Sequence, residues 1–188
     1  MKSLSRRMTA LVAVLMFFTG CTTDDMQTMY SRYRASFFYQ KVMQVQPLYA
    51  SLTGSGQFCT IAFQGMNVTF SSNGTSYTDN LTQVAGYQSP VFLGGFIVGQ
   101  ANMPETGQTN LPLMCYDLAC PNCYNEMGLT RHMSVMEYNG KQVASCSKCK
   151  RKYDLNNTGI PIEGEKGLKL ERYHIVYDGS NIMRIYNP

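Results

Sequence analysis

The chain has little of what most enzymes and nucleic-acid binders need. Only two of its 188 residues are histidine, His132 and His174. Each sits in a strand-like context, "RHMSV" and "RYHIVYD", and is read as an ordinary strand residue. No Ser-His-Asp arrangement and no paired carboxylates occur at a usable spacing, so a non-enzymatic protein is expected. Charged residues are sparse, at 15%, and the formal net charge is only +4. Three of those positive charges, Lys2, Arg6 and Arg7, fall in the first seven residues, leaving about +1 on the remainder. That excludes the basic stripe of a nucleic-acid binder. The apolar run "MTALVAVLMFF" is shorter than the roughly 20 residues that span a bilayer. The glycines of "GGFIVG" are followed by no helical pattern, which excludes a dinucleotide fingerprint.

What is present begins with a targeting segment. A basic start, a short apolar core and the small residues of "TGC" describe a secretory signal over residues 1–20. "FFTGC" resembles a bacterial lipobox, which implies cleavage before Cys21 and lipidation of that cysteine. Each buried acyl methylene contributes about 0.8 kcal/mol, so several chains on one residue hold a protein on a membrane. The acidic "TTDD" that follows resembles sorting signals of some Gram-negative lipoproteins. The expectation is a cell-envelope protein whose membrane partner is reached through the lipid, at the outer membrane. Cleavage before Cys21 leaves 168 residues, enough for one domain. Residues 21–36 read as a lipidated tether and 37–188 as the folded domain.

That domain reads as all-β. "MNVTFSS" and "GTSYT" flank Asn73-Gly74, a strong type I′ hairpin signal. "HMSVMEYNGKQVASC" repeats the pattern at Asn139-Gly140. "LERYHIVYDGSNIMRIYN" turns near Asp178-Gly179. "GSGQFCTIAF", "PVFLGGFIVGQ" and "NLPLMCYDL" read as further strands, the second interrupted by Gly94 and Gly95. One helix is expected, between Tyr39 and Leu52.

The cysteines carry the chemistry. Cys120-Pro-Asn-Cys123 and Cys146-Ser-Lys-Cys149 are two CxxC knuckles separated by a hairpin. A tight knuckle aims two sulfurs at one point, and two facing knuckles complete a tetrahedron, as in zinc ribbons and rubredoxin-like sites. Soft thiolates suit zinc or iron. Disulfides within the knuckles are the competing reading for an exported chain, although such small loops stabilise little. Cys59 and Cys115 lie outside the knuckles and are read as buried thiols or as a disulfide pair.

From Cys146 onward, "CSKCKRKYDLNNTGIPIEGEKGLKLERYHIVYDGSNIMRI" resembles the second half of a Rieske domain. Cys146 stands at the family's second-loop cysteine, Tyr153-Asp154 at its aromatic-Asp step, and Gly159-Ile-Pro161 with Gly164 in its turn. Leu168 or Leu170 stands at its apolar anchor and Tyr173 in its strand. "YDLACPNC" resembles the first loop through Cys120 and Pro121. The resemblance implies a Rieske-like β fold with metal-binding loops at 115–125 and 145–165. Rieske clusters use two cysteines and two histidines. Here Asn122 occupies the first histidine position, followed by Cys123, and Cys149 replaces the second. Four sulfurs imply one zinc or iron ion, or an all-cysteine 2Fe–2S cluster and an electron-transfer role. The redox partner of such a carrier is not specified by the sequence. Lys148, Lys150, Arg151 and Lys152 are expected to surround the thiolates, where positive charge favours the ionised sulfur.

Overall fold

The computed structural model describes residues 29–83 and 88–188. The signal segment, Cys21 and the tether up to residue 28 lie outside the described residues.

The described chain is mostly β-sheet. Its strands are β1 (Ala35–Tyr39), β2 (Phe58–Gln64), β3 (Asn67–Ser72), β4 (Thr75–Asn80), β5 (Phe96–Gln100) and β6 (Leu113–Asp117), followed by β7 (Ser134–Tyr138), β8 (Lys141–Ser145), β9 (Lys152–Asp154), β10 (Pro161–Glu163), β11 (His174–Tyr177) and β12 (Met183–Asn187). Two short helices interrupt them, α1 (Gln46–Thr53) and α2 (Pro121–Met127). The helix expected between Tyr39 and Leu52 is thus a 3₁₀ turn at Val42–Gln44 followed by α1, because Pro47 supplies a preset φ at a helix start.

The strands form three antiparallel sheets, in orders β4-β3-β2-β5-β6, β1-β12-β11 and β10-β9-β8-β7. The five-stranded sheet is central because alternate residues of its strands face two different cores. Cys59 and Ile61 of β2, Phe96 and Val98 of β5, and Cys115 of β6 face one side. There they meet Phe37 and Tyr39 of β1, Leu48 and Leu52 of α1, and Met183 and Ile185 of β12. Phe58, Ile97, Met114 and Tyr116 face the other side, against Ala144, Tyr153, Leu155 and the cysteines of the knuckles. Each fully buried side chain of this size contributes about 1.5–3 kcal/mol.

All three expected hairpins form. Asn73 and Gly74 have φ of 49° and 77°, and Asn139 and Gly140 of 51° and 74°. These are the positive values a type I′ turn requires at both central residues. Asp178 closes the third by accepting from the Ser180 and Ile182 amides, at 2.8 and 3.0 Å. Gly94 and Gly95 lie just before β5. A Cβ on Gly94 would stand 2.7 Å from that of Ala119, so the bare backbone lets the chain pass the start of the first knuckle.

Part of the expected tether is built into the fold. The Ser31 amide donates to the Arg172 carbonyl at 2.8 Å, and Asn187 Nδ2 donates to the carbonyls of Ser31 and Tyr33. Ala35 and Ser36 already pair with β12.

The candidate disulfide between Cys59 and Cys115 is not formed, and both thiols are free and buried. Cys59 pairs with Val98 on β2-β5, and Val98 pairs with Cys115 on β5-β6. The two cysteines therefore share a face but stand two strands apart, about 10 Å at ordinary strand spacing. A disulfide needs Cα atoms within about 7 Å. Burial pushes the Cys59 thiol up to about 12 and raises Cys115 as well.

Candidate metal centre

The first knuckle opens α2. Cys120 is extended at the helix N-terminus, Pro121 takes the first turn, and the Tyr124 amide donates to the Cys120 carbonyl at 3.0 Å. This turn brings Cys120 and Cys123 onto one side of the helix start. The sequence reading did not include α2. Its signal was there in Pro121 and Gly128, an N-terminal proline and a glycine that ends the helix with φ of 66°.

The second knuckle joins β8 to β9. The Lys150 amide donates to the Cys146 carbonyl and the Cys146 amide to the Arg151 carbonyl, both at 3.0 Å. Closing that turn puts Lys150 at φ 62°, a left-handed conformation that glycine takes most readily.

The two knuckles face each other. The sulfurs of Cys120, Cys123, Cys146 and Cys149 all lie within 4.8 Å of one another and could hold a metal ion. Cys120 Sγ is 3.6 Å from Cys149 Sγ, and Cys123 Sγ is 3.6 Å from Cys146 Sγ. A tetrahedron with metal–sulfur bonds of about 2.3 Å has edges of about 3.8 Å, so the sulfurs stand close to the positions one ion requires. The same contacts are far longer than the roughly 2.05 Å of a disulfide. All four thiols are free, with no disulfide within either knuckle. His132 and His174 are not among the gathered ligands; His132 forms a bridge to Ala119, and His174 lies in β11.

A hydrogen-bonded relay braces the centre. The Tyr153 hydroxyl lies 3.3 Å from Cys120 Sγ and accepts from Asn122 Nδ2 at 2.9 Å. The hydroxyl keeps its own proton to give to the sulfur when Cys120 is ionised. Asn122 also donates to the Leu168 carbonyl and accepts from the Leu168 amide, both at 2.9 Å. Gly167 makes this approach feasible, because a Cβ there would stand 2.2 Å from Asn122 Oδ1. Asn122 therefore holds the closing loop and orients Tyr153.

Burial and the crowding of the sulfurs set the electrostatics of the cluster. Burial raises the Cys120 thiol, and burial together with the neighbouring sulfurs raises Cys123. Burial also acts upward on Cys149, but hydrogen bonds from the Arg151 backbone and side chain outweigh it and hold this thiol at about 7. Of the four basic residues expected around the thiolates, Arg151 fills the role most directly. It is buried, it bonds the carbonyls of Glu165 and Lys166, and it faces Glu126 and Glu165. Lys152 instead pairs with Glu163 at 2.7 Å and lies over the Tyr138 ring. Lys148 and Lys150 are exposed.

The chemistry of the donor set fits a soft or borderline metal. Four clustered sulfurs, three buried and that of Cys149 half-buried, repel one another once ionised, and a divalent ion removes that repulsion. Protein-family models, curated proteins and solved structures were all compared with this chain, and none matches it.

Proposed function

We propose that this chain is a lipid-anchored, non-enzymatic envelope protein whose β domain carries one structural zinc or iron ion. The observation that carries the metal reading is the gathering of four cysteine sulfurs within 4.8 Å. A binuclear cluster would divide the ligands into two pairs, pushed apart by the separation of its irons. The two 3.6 Å contacts each join a cysteine of one knuckle to a cysteine of the other, which suits a single central ion. Cys120, Cys123, Cys146 and Cys149 would hold that ion and leave it no open position for a substrate, as structural sites do.

A Rieske-like ancestry is supported by the order of parts. Two ligand loops flank the β7-β8 hairpin, and the aromatic residue of the second loop, Tyr153, reaches a sulfur of the first. The lipid anchor is supported by "FFTGC" and Cys21.

Metal analysis and visible spectra of anaerobically purified protein test the function. One zinc per chain and no visible absorption is the expected result for a structural centre. One iron with thiolate charge-transfer bands would assign a rubredoxin-like redox centre. Two irons with matching acid-labile sulfide would overturn the single-ion reading in favour of a 2Fe–2S electron carrier.

A further inference from the structure

We propose that the outer face of the β1-β12-β11 sheet is the surface that lies against the bilayer. This inference rests on the lipid-anchor reading of Cys21. One face of the sheet packs into the core, and no described sheet covers the other. Register places Phe38, Arg184 and Val176 in one outward row, and Ser36, Tyr186 and His174 in the next. The apolar members are open to solvent, with Val176 at 54%, Ile182 at 41% and Tyr186 at 39% exposure. Phe38, Val176, Ile182 and Tyr186 line a shallow groove of about 380 Å³ together with Asp178 and Arg184, the latter between Phe38 and Val176.

Three further observations choose the occupant. Rings of Tyr30, His174 and Tyr186 stack in sequence at 3.7 and 5.1 Å, and tyrosine favours the membrane–water boundary. Two exposed arginines, Arg34 just before β1 and Arg184 on β12, outnumber the groove's acid, Asp178, which accepts from the amides of its own turn. Such charge suits anionic headgroups. The chain also leads to this place, because Ser31 is bonded beside β11 and Cys21 lies ten residues earlier. Ten extended residues reach about 35 Å at most. A lipid on Cys21 therefore keeps Ser31, and the start of β11 beside it, within that reach of the bilayer, while β7–β10 pack on the other side of the central sheet. No described helix is long and apolar enough to cross the membrane.

The chain contains no tryptophan, so an introduced one reports alone. Full chains carrying Val176→Trp or Met136→Trp are expressed with their signal and reconstituted into phosphatidylglycerol–phosphatidylethanolamine vesicles with brominated acyl chains. Both sites are exposed, and metal content equal to the parent protein checks the fold. The expected result is a blue-shifted Val176→Trp emission, quenched about twofold or more, with the β7 probe unquenched. Equal quenching at the two sites overturns the proposal. So does a blue shift in lipid-free detergent that grows with protein concentration, since that assigns the face to a second copy. Intact mass of the same sample reads Cys21 separately. Lipidated Cys21 with an unquenched Val176→Trp sinks the face and keeps the anchor; unmodified Cys21 with quenching sinks the anchor and keeps the face.

Discussion

Tyr153 and Asp117 show how single side chains set the terms of this fold. Tyr153→Phe deletes the hydroxyl that joins Asn122 to Cys120 Sγ. A lost buried hydrogen bond costs about 1 kcal/mol. Loss of a group that orients a metal ligand typically weakens metal binding about 10–100-fold. Competition against a chromophoric chelator should show that weakening; unchanged affinity would mean that the relay only packs. Asp117 lies across the central sheet, wholly buried, and accepts from the amides of Gly94 and Ala119 and from the Tyr173 hydroxyl. Burial raises its carboxyl to about 6, despite those hydrogen bonds. The unfolded value is about 3.9, so between these limits the native state binds the extra proton. Stability from this group therefore rises as pH falls from 7 toward 4, by about 2–3 kcal/mol. Asp117→Asn should remove that component. Urea titrations of metal-saturated protein at pH 7 and 5 should show the parent gaining on the variant at the lower pH. A difference that does not move with pH would rule out a titrating Asp117.

Among the elements, the second knuckle offers the sharpest test. Lys150 holds a left-handed backbone that costs a non-glycine residue about 1–2 kcal/mol. Lys150→Gly should be neutral or slightly stabilising, whereas a β-branched Lys150→Val should lower stability by at least about 1 kcal/mol. Equal melting temperatures for the two variants would show that the turn relaxes. The hairpins were legible beforehand because Asn-Gly fixes the local turn without help from distant residues. The knuckles were legible for the same reason, since the ligand pairs are close in sequence. Helix α2 was not, because seven residues make too short a periodic pattern to stand out from a ligand loop. The Cys59–Cys115 relation was also hidden. It depends on β5 lying between β2 and β6, a strand order that no local pattern encodes. Asn122 was recognised only as the residue at a missing ligand's place, since its partners Tyr153 and Leu168 lie 31 and 46 residues away.

For the molecule as a whole, the four-cysteine cluster is part of the second hydrophobic core. Cys120, Cys123 and Cys146 pack in one cluster with Phe58, Ile97 and Tyr116 of the central sheet. An ion bound to the native state alone, at about 1,000 times its dissociation constant, contributes about 4 kcal/mol. Removal by chelation should then lower the melting temperature by about 10 °C for a domain of this size. Any one of Cys120→Ser, Cys123→Ser, Cys146→Ser or Cys149→Ser should approach the same loss in calorimetry. An unchanged transition after complete metal removal would mean that the sulfurs pack adequately alone. At the membrane, Cys21→Ala should abolish incorporation of labelled palmitate and release the protein from the bilayer; continued labelling would discard the lipobox.

Among the described thiols Cys149 alone is half-buried, while the other five, Cys59 and Cys115 included, are enclosed. This arrangement makes the protein its own gauge of opening. An alkylating reagent applied to the metal-free protein should meet Cys149 first, since a local excursion of its loop exposes it. Cys59 and Cys115 sit on the central sheet between two layers and yield only when those layers part. The spread between the earliest and latest alkylation thus measures how far loosening at the knuckles is decoupled from rupture of the whole β structure.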